Sequence, residues 1–221
     1  MKTILIFFAA TLFCSACNKK DSNPGSNTSV SYNNSNAGST WTYHEDNSSG
    51  VTPKSSDYTV TSSNQDSMIN GRKYHVYNYS YGGSKYLSLS GHDYYQYDSI
   101  SGTGGVKYER LYLKDDAAQG SNWSQDFDIT ISNIPITLKV TNQIVEKGIS
   151  RTVNGQNYSN VIHVSTVLSS ALITSGLTSS IDSYYAPKFG MVENKTVIHL
   201  NFLGFIENVD VSTKLVSSDL K

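Results

Sequence analysis

The chain has 221 residues, with 17 Lys and Arg against 18 Asp and Glu for a net charge of −1. A balance this near neutral offers no basic face to release phosphate counterions, so nucleic acid is not an expected partner. Both cysteines fall within the first 17 residues, at Cys14 and Cys17, so the body beyond them holds neither a disulfide nor a thiolate metal site.

The N-terminus reads as a secretory leader: a cationic start at Lys2, an apolar run from Ile4 to Phe13, and small residues at Ser15 and Ala16. The apolar run is about half the roughly 20 residues a membrane-spanning helix needs, which predicts a cleaved leader rather than a membrane anchor. Small side chains directly before Cys17 resemble the lipobox of bacterial lipoproteins, whose cysteine is diacylated and becomes the first residue of the mature chain. The resemblance implies lipidation at Cys17, loss of Cys14 with residues 1–16, and a membrane reached through the lipid alone. Processing also removes Lys2, leaving 16 basic against 18 acidic residues. Lys19-Lys20-Asp21 resembles the charged export tags of some Bacteroidota lipoproteins, implying an outer-membrane protein facing the periplasm or the cell surface.

Residues 18–39 are mostly Asn, Ser, Gly, Thr and Lys, with Val30 and Tyr32 as the larger apolar residues. Such a composition cannot bury enough surface to offset chain entropy and predicts a flexible tether spanning on the order of 25 Å. Residues 40–221 read as a single β domain, because short alternating runs are divided by Gly, Asn, Asp and Ser and no apolar repeat at helical spacing persists for three turns.

The expected fold class is all-β, with at most one or two short helices: a curved antiparallel sheet, half-barrel or open barrel-like. A meander is predicted through Tyr74 to Tyr81, Tyr86 to Leu89 and Tyr94 to Tyr97, with a turn at Gly82-Gly83 and a break at Gly91. Asn70-Gly71 and Asn154-Gly155 are strong two-residue hairpin signals. Strict alternation over Val106 to Lys114 places Lys107, Glu109, Leu111 and Leu113 on one face and Tyr108, Arg110 and Tyr112 on the other. Ile129 to Glu146 reads as one long strand bent at Pro135. Val161 to Leu168 and Thr196 to Leu203 are the most apolar strands and are expected at the sheet's centre. Residues 169–183 accommodate either a short helix near Ala171 to Leu177 or a serine-rich loop.

No catalytic residue is assigned. His163 and His199 lack a second histidine at a metal-ligand interval, and Asp126 with Asp128 lacks the remaining ligands of a calcium loop, so no metal or other cofactor is expected. His44-Glu45-Asp46 and His92-Asp93 set an imidazole beside a carboxylate, yet neighbouring strand residues point to opposite faces. There is no G-x-S-x-G elbow, and Gly102-Thr103-Gly104-Gly105 lacks the Lys-Ser/Thr of a phosphate loop. Tyrosine is the outlier, 16 in all. Tyr77, Tyr79 and Tyr81 alternate onto one strand face, and Tyr95 and Tyr97 onto one face of another. Aligned on a concave sheet they form a ligand face for a glycan, peptide or amphiphile; otherwise they cover half-exposed sheet.

Several words taken in order resemble a family of bacterial envelope lipoproteins common in the Bacteroidota. They are Trp41-Thr42-Tyr43, Tyr112-Leu113-Lys114-Asp115 leading to Gly120-Ser121-Asn122-Trp123, Val153-Asn154-Gly155, Asn160 to Val164, and Tyr184-Tyr185-Ala186-Pro187-Lys188-Phe189-Gly190-Met191-Val192. The resemblance implies a half-barrel similar to lipoprotein carriers of the localisation-factor type and carries over no catalytic residue. The last word has its own physical reading as a corner, with Pro187 presetting a turn and Gly190 freeing the backbone. Three functions follow as expectations: a non-catalytic lipid-anchored module binding or carrying a protein partner, amphiphile or glycan; a structural component of an outer-membrane machine; or an envelope hydrolase.

Overall fold

Runs of β-branched and aromatic residues between Asn and Gly turns fold this chain into strands and tight hairpins. The computed structural model describes residues 31–99, 107–131 and 133–221. Cys17, the Lys19 to Asp21 tag, residues 18–30 of the tether, Val106 and the turn at 102–105 lie outside the described residues.

Twelve strands are formed among the described residues, and no helix. The first six are β1 (Thr40–Asn47), β2 (Lys54–Ile69), β3 (Arg72–Tyr79), β4 (Ser84–Ser90), β5 (Asp93–Ser99) and β6 (Lys107–Lys114). The second six are β7 (Asn122–Ile131), β8 (Ile134–Val153), β9 (Gln156–Ser169), β10 (Leu177–Ala186), β11 (Gly190–Phe202) and β12 (Phe205–Asp219). They form one antiparallel sheet ordered β6-β5-β4-β3-β2-β1-β12-β11-β10-β9-β8-β7, so consecutive strands pair except β6 with β7, and β1 pairs with β12. Only β6 and β7, adjacent in sequence, are left as edges.

The two predicted Asn-Gly hairpins are present, with φ of 49° and 79° at Asn70-Gly71 and 47° and 81° at Asn154-Gly155. Leu203-Gly204 makes the same two-residue turn between β11 and β12 with φ of 50° and 82°, although leucine gives no sequence signal for it. Ile129 to Glu146 is not one bent strand. It is the β7–β8 hairpin, with Asn133 at φ 63° in its turn. Pro135 fits because that stretch of β8 pairs only with β7; pairing to β9 starts at Lys139, so no ladder needs the missing N–H. The middle of the sheet is the β1–β12 pair rather than β9 and β11. Residues 170–176 form a loop, and β10 follows directly.

The sheet curls until its halves face each other. Tyr112, on edge strand β6, lies 5.4 Å ring to ring from Tyr185 on β10, and the Tyr43 hydroxyl of β1 donates to the Met191 carbonyl of β11 at 2.9 Å. The result is a barrel with one unsealed seam. Side chains of β7 bridge that seam: Trp123 Nε1 donates to the Leu111 carbonyl at 2.8 Å and Gln125 Oε1 accepts from the Leu111 N–H at 2.7 Å. Tyr108 and Phe127 meet edge to face at 5.1 Å beside them.

Apolar side chains point inward. Leu113, Ile144, Ile162, Val164, Val192 and Leu215 are fully or almost fully buried, each worth roughly 1.5–3 kcal/mol of transfer free energy. A smaller cluster of Ile129, Ile131, Ile136 and Ile173, with Leu200, Phe202 and Phe205 against it, closes off the ends of the β7–β8 and β11–β12 hairpins. The outer face carries charge along the strands, with His44 beside Asp57 and Arg151 paired to Glu193. That is the reverse of the apolar outer band of a membrane-spanning barrel.

Two expectations change in detail. A register shift in the β5–β6 pair, Tyr95 opposite Leu111 but Tyr94 opposite Leu113, makes Tyr112 a bulge residue. The strict alternation therefore breaks, and Tyr112 and Leu113 are both buried. Residues 31–39, assigned by composition to the tether, are bound to the barrel. The Lys188 N–H donates to the Ser31 carbonyl, the Tyr32 hydroxyl to the Asn160 carbonyl, and the Tyr77 hydroxyl to Asn33 Oδ1.

Candidate functional site

A barrel of this strand number is too wide for its own side chains to fill throughout. A cavity of about 360 Å³ remains inside, at the low end of the roughly 300–1,000 Å³ typical of small-molecule sites. Aromatic residues from distant strands make its walls: Trp41 and Tyr43 from β1, Tyr77 and Tyr79 from β3, Tyr112 from β6 and Tyr185 from β10. Tyr32 and Asn33 of the N-terminal segment also border it. The Tyr77 hydroxyl is anchored on Asn33 and on the Asn34 carbonyl, so this segment and the wall it touches form one unit.

The predicted tyrosine face divides between two surfaces. Cross-strand partners share a face, and Tyr77 sits opposite Lys85, whereas Tyr97 sits opposite Tyr86, which itself faces Val76. Tyr77 and Tyr79 therefore look into the cavity, and Tyr95 and Tyr97 lie on the other side of the sheet. There the Arg72 guanidinium covers the Tyr95 ring at 3.5 Å, Tyr97 packs on Tyr74 at 5.9 Å, and Arg72 pairs with Glu109 at 2.9 Å. Tyr81 is 70% exposed beyond the end of β3 and stacks on Tyr79 at 4.9 Å. The structure brings Tyr77, Tyr79 and Tyr81 together and keeps Tyr95 and Tyr97 apart from them.

The corner word also contributes to the site. Tyr184 and Tyr185 point to opposite faces, so Tyr185 enters the cavity while Tyr184 stacks on His163 outside at 4.3 Å. Phe189 and Met191, on either side of Gly190, line the cavity as well.

Two cations on the inner wall escaped the sequence reading. Lys85 lies on β4, two residues before Leu87; Leu87 faces Gln96, and Gln96 faces Arg110. All four line the cavity. Burial, reinforced by the nearby Arg110 charge, pulls the Lys85 ammonium down to about 8. Among the described residues Arg110 Nη2 reaches Gln96 Oε1, at 3.4 Å, and its buried Nε has no partner. Trp41 is 4% exposed, and its Nε1 likewise has no acceptor among the described residues. Alternation on β4 and β6 held the only clue, and it acquires meaning once the register is known. Burial also raises the lining tyrosines Tyr43, Tyr77, Tyr79 and Tyr112 well above their ordinary value, so all four stay neutral hydroxyls.

Histidines find acids chiefly across strands, although His44 also meets Asp46 on its own strand at 3.3 Å and His199 meets Asn208 instead. His44 meets Asp57 at 2.6 Å, His92 meets Asp115 at 2.5 Å, and His163 sits between Glu146 and Asp182 at 3.1 and 2.9 Å. Asp128 accepts from Thr137, and no metal-holding group of acids and histidines occurs among the described residues.

One arrangement has the look of a catalytic triad. Where β2 bulges out between Ser62 and Asp66, His75 Nε2 comes 2.9 Å from Ser62 Oγ and its Nδ1 2.9 Å from Asp66 Oδ1. A groove of about 530 Å³ reaches His75 and Asp66, yet Ser62 does not line it and is 1% exposed. The Ser62 backbone is held by Gly38 and Ser39, and its buried hydroxyl is not presented to the groove. The trio orients His75 and seats the N-terminal segment.

No protein-family model matches the chain, and no curated protein matches it. Among solved structures, the chain is similar to a protein from Parabacteroides distasonis provisionally described as a lipoprotein, at 11% identity and a TM-score of 0.49 over 85% of this chain and 98% of that one. It is also similar to a protein from Bacteroides fragilis provisionally described as exported, with a YmcC-like fold, at 10% identity and a TM-score of 0.47 over 84% and 97%.

Proposed function

We propose that this is a non-catalytic, lipid-anchored protein of the cell envelope, tethered through Cys17 at the outer membrane, that holds a small ligand inside its barrel. The observation carrying the reading is the unfilled, aromatic-walled cavity of about 360 Å³. A scaffold has no need of interior space, whereas a binding module does. Among the described residues neither a histidine nor a carboxylate lines the cavity, so the paired carboxylates of a glycosidase are not at hand there. The volume suits a single small molecule or one short acyl or sugar unit rather than a whole lipoprotein.

Native mass spectrometry of the protein, purified from its own envelope and from a neutral expression host, tests this directly. The expected spectrum carries a non-covalent adduct that is weakened in Tyr79→Ala, because Tyr79 is a half-buried wall residue whose loss leaves the strand intact. An adduct-free spectrum from both sources, together with no change in Trp41 fluorescence on adding envelope extract, removes the binding role. The anchor has a separate test: Cys17→Ser should abolish acyl labelling and release the chain from the membrane fraction, and persistence of the label would refute it.

A further inference from the structure

We infer that the ligand carries an oxyanion, a carboxylate or phosphate, held between Lys85 and Arg110 on the inner wall; this rests on the ligand-binding reading above. The two cations stand on the same inward face of β4 and β6, linked through the Leu87, Gln96 and Arg110 register. Neither forms an ion pair among the described residues. No acid among the described residues lines the cavity. Asp98, on the same strand face as Gln96, accepts from Gln96 Nε2 at 2.8 Å, and its attraction for Lys85 is the smallest of the influences on that ammonium.

Buried like charges repel and are costly unless an opposite charge joins them. The cavity's unpartnered buried groups are donors as well. Of the three buried side-chain N–H groups lacking a partner among the described residues, two, Trp41 Nε1 and Arg110 Nε, belong to cavity residues; the third, on Asn142, does not. Ammonium and guanidinium donate and cannot accept, so the pair matches an acceptor-only group. A guanidinium also recognises carboxylate and phosphate by two parallel hydrogen bonds. The aromatic walls around them, Tyr77 beside Lys85 with Tyr43 and Tyr185 from other strands, then pack against the body of the molecule.

Calorimetry with matched sets provides the test: octanoate and octyl phosphate against octanol, and glucuronate and glucose 6-phosphate against glucose. The charged member of at least one set should bind ten-fold or more tightly than its neutral partner, and the set that does so identifies the body as acyl or sugar. Lys85→Met and Arg110→Gln should each erase that preference. As a ligand-free readout, Lys85→Met should raise Tm, because an unpaired buried charge has been removed; a lowered Tm would mean that the ammonium is already satisfied. Equal affinity for charged and neutral members, or a neutral adduct in the native spectrum, overturns the oxyanion while leaving the binding reading intact. Loss of both adduct and titration signal overturns the binding reading itself.

Discussion

The seam is the place where the barrel's closure can be tested by removing a few atoms. Leu111 of β6 has no strand partner on its β7 side; its N–H is met by Gln125 Oε1 at 2.7 Å and its C=O by Trp123 Nε1 at 2.8 Å. Trp123→Phe keeps an aromatic ring and deletes the donor, and Gln125→Ala deletes the acceptor along with a weak 3.4 Å bond to the Glu109 carbonyl. A side-chain to backbone hydrogen bond contributes about 1 kcal/mol net, so the double variant should lose about 2 kcal/mol. For a domain of 150–250 residues, that lowers Tm by roughly 4–8 °C. Differential scanning calorimetry gives the shift, and hydrogen exchange should show faster exchange of the Leu111 amide. Gln143→Ala, which loses only an exposed 3.5 Å contact with the Gly120 carbonyl, serves as the control. A double variant that melts like the control, with Leu111 still protected, would mean that the Tyr108 and Phe127 rings hold the seam on their own.

Gly176→Ala should be severe, by about 2–4 kcal/mol in a denaturant melt, because the new Cβ would stand 2.3 Å from the Asn201 carbonyl oxygen at a φ of 87°. Leu203→Asn should go the other way, gaining about 1 kcal/mol, because Leu203 is 70% exposed and holds φ 50° where asparagine is at ease; an unchanged Tm would contradict it. A fluorophosphonate probe should leave native Ser62 unlabelled, and labelling there would establish a reactive nucleophile. Lys85 has a folded-state value near 8, below that of the unfolded chain, so its charge burdens the fold below pH 8 and the burden lifts as pH rises from about 8 toward the ordinary lysine value. The stability gap between Lys85→Met and the parent should therefore narrow across that interval, and a gap that widens would refute the placement.

Much of the architecture was legible because the signals were local. Asn70-Gly71 and Asn154-Gly155 need nothing beyond their own φ angles to turn the chain, and alternation around Tyr74 to Tyr97 already separates three strands. The errors arose where a distant partner decides. Ile129 to Glu146 contains no Gly to mark its turn, so a hairpin held at Asn133 looks like a bent strand. Tyr112 becomes a bulge residue only because Tyr94 pairs with Leu113. Residues 31–39 are polar and look unfit to bind anything, yet Tyr32 gains an edge contact with Tyr94 at 6.4 Å and Ser39 is fully buried. Composition measures what a segment can bury alone, not what a barrel end can offer it.

The site depends more on register than the fold does, and this explains why tyrosine density was a partial guide to it. Tyrosine suits either side of a half-buried sheet, so counting rings cannot distinguish the Tyr77 and Tyr79 face from the Tyr95 and Tyr97 face. A cation is more informative once its face is known. Arg72 looks outward and has Glu109 at 2.9 Å and the Tyr95 ring at 3.5 Å, which is the ordinary settlement of a surface guanidinium. Arg110, on the opposite face of the same sheet, has a long contact with Gln96. The difference between these two arginines is not one of sequence context, since both sit among tyrosines and charged residues. It is that one faces outward and is paired, while the other faces the cavity beside Lys85. Side chains fill the barrel at the hairpin ends where Ile129, Ile131, Ile136 and Ile173 meet, and leave space where these donors converge.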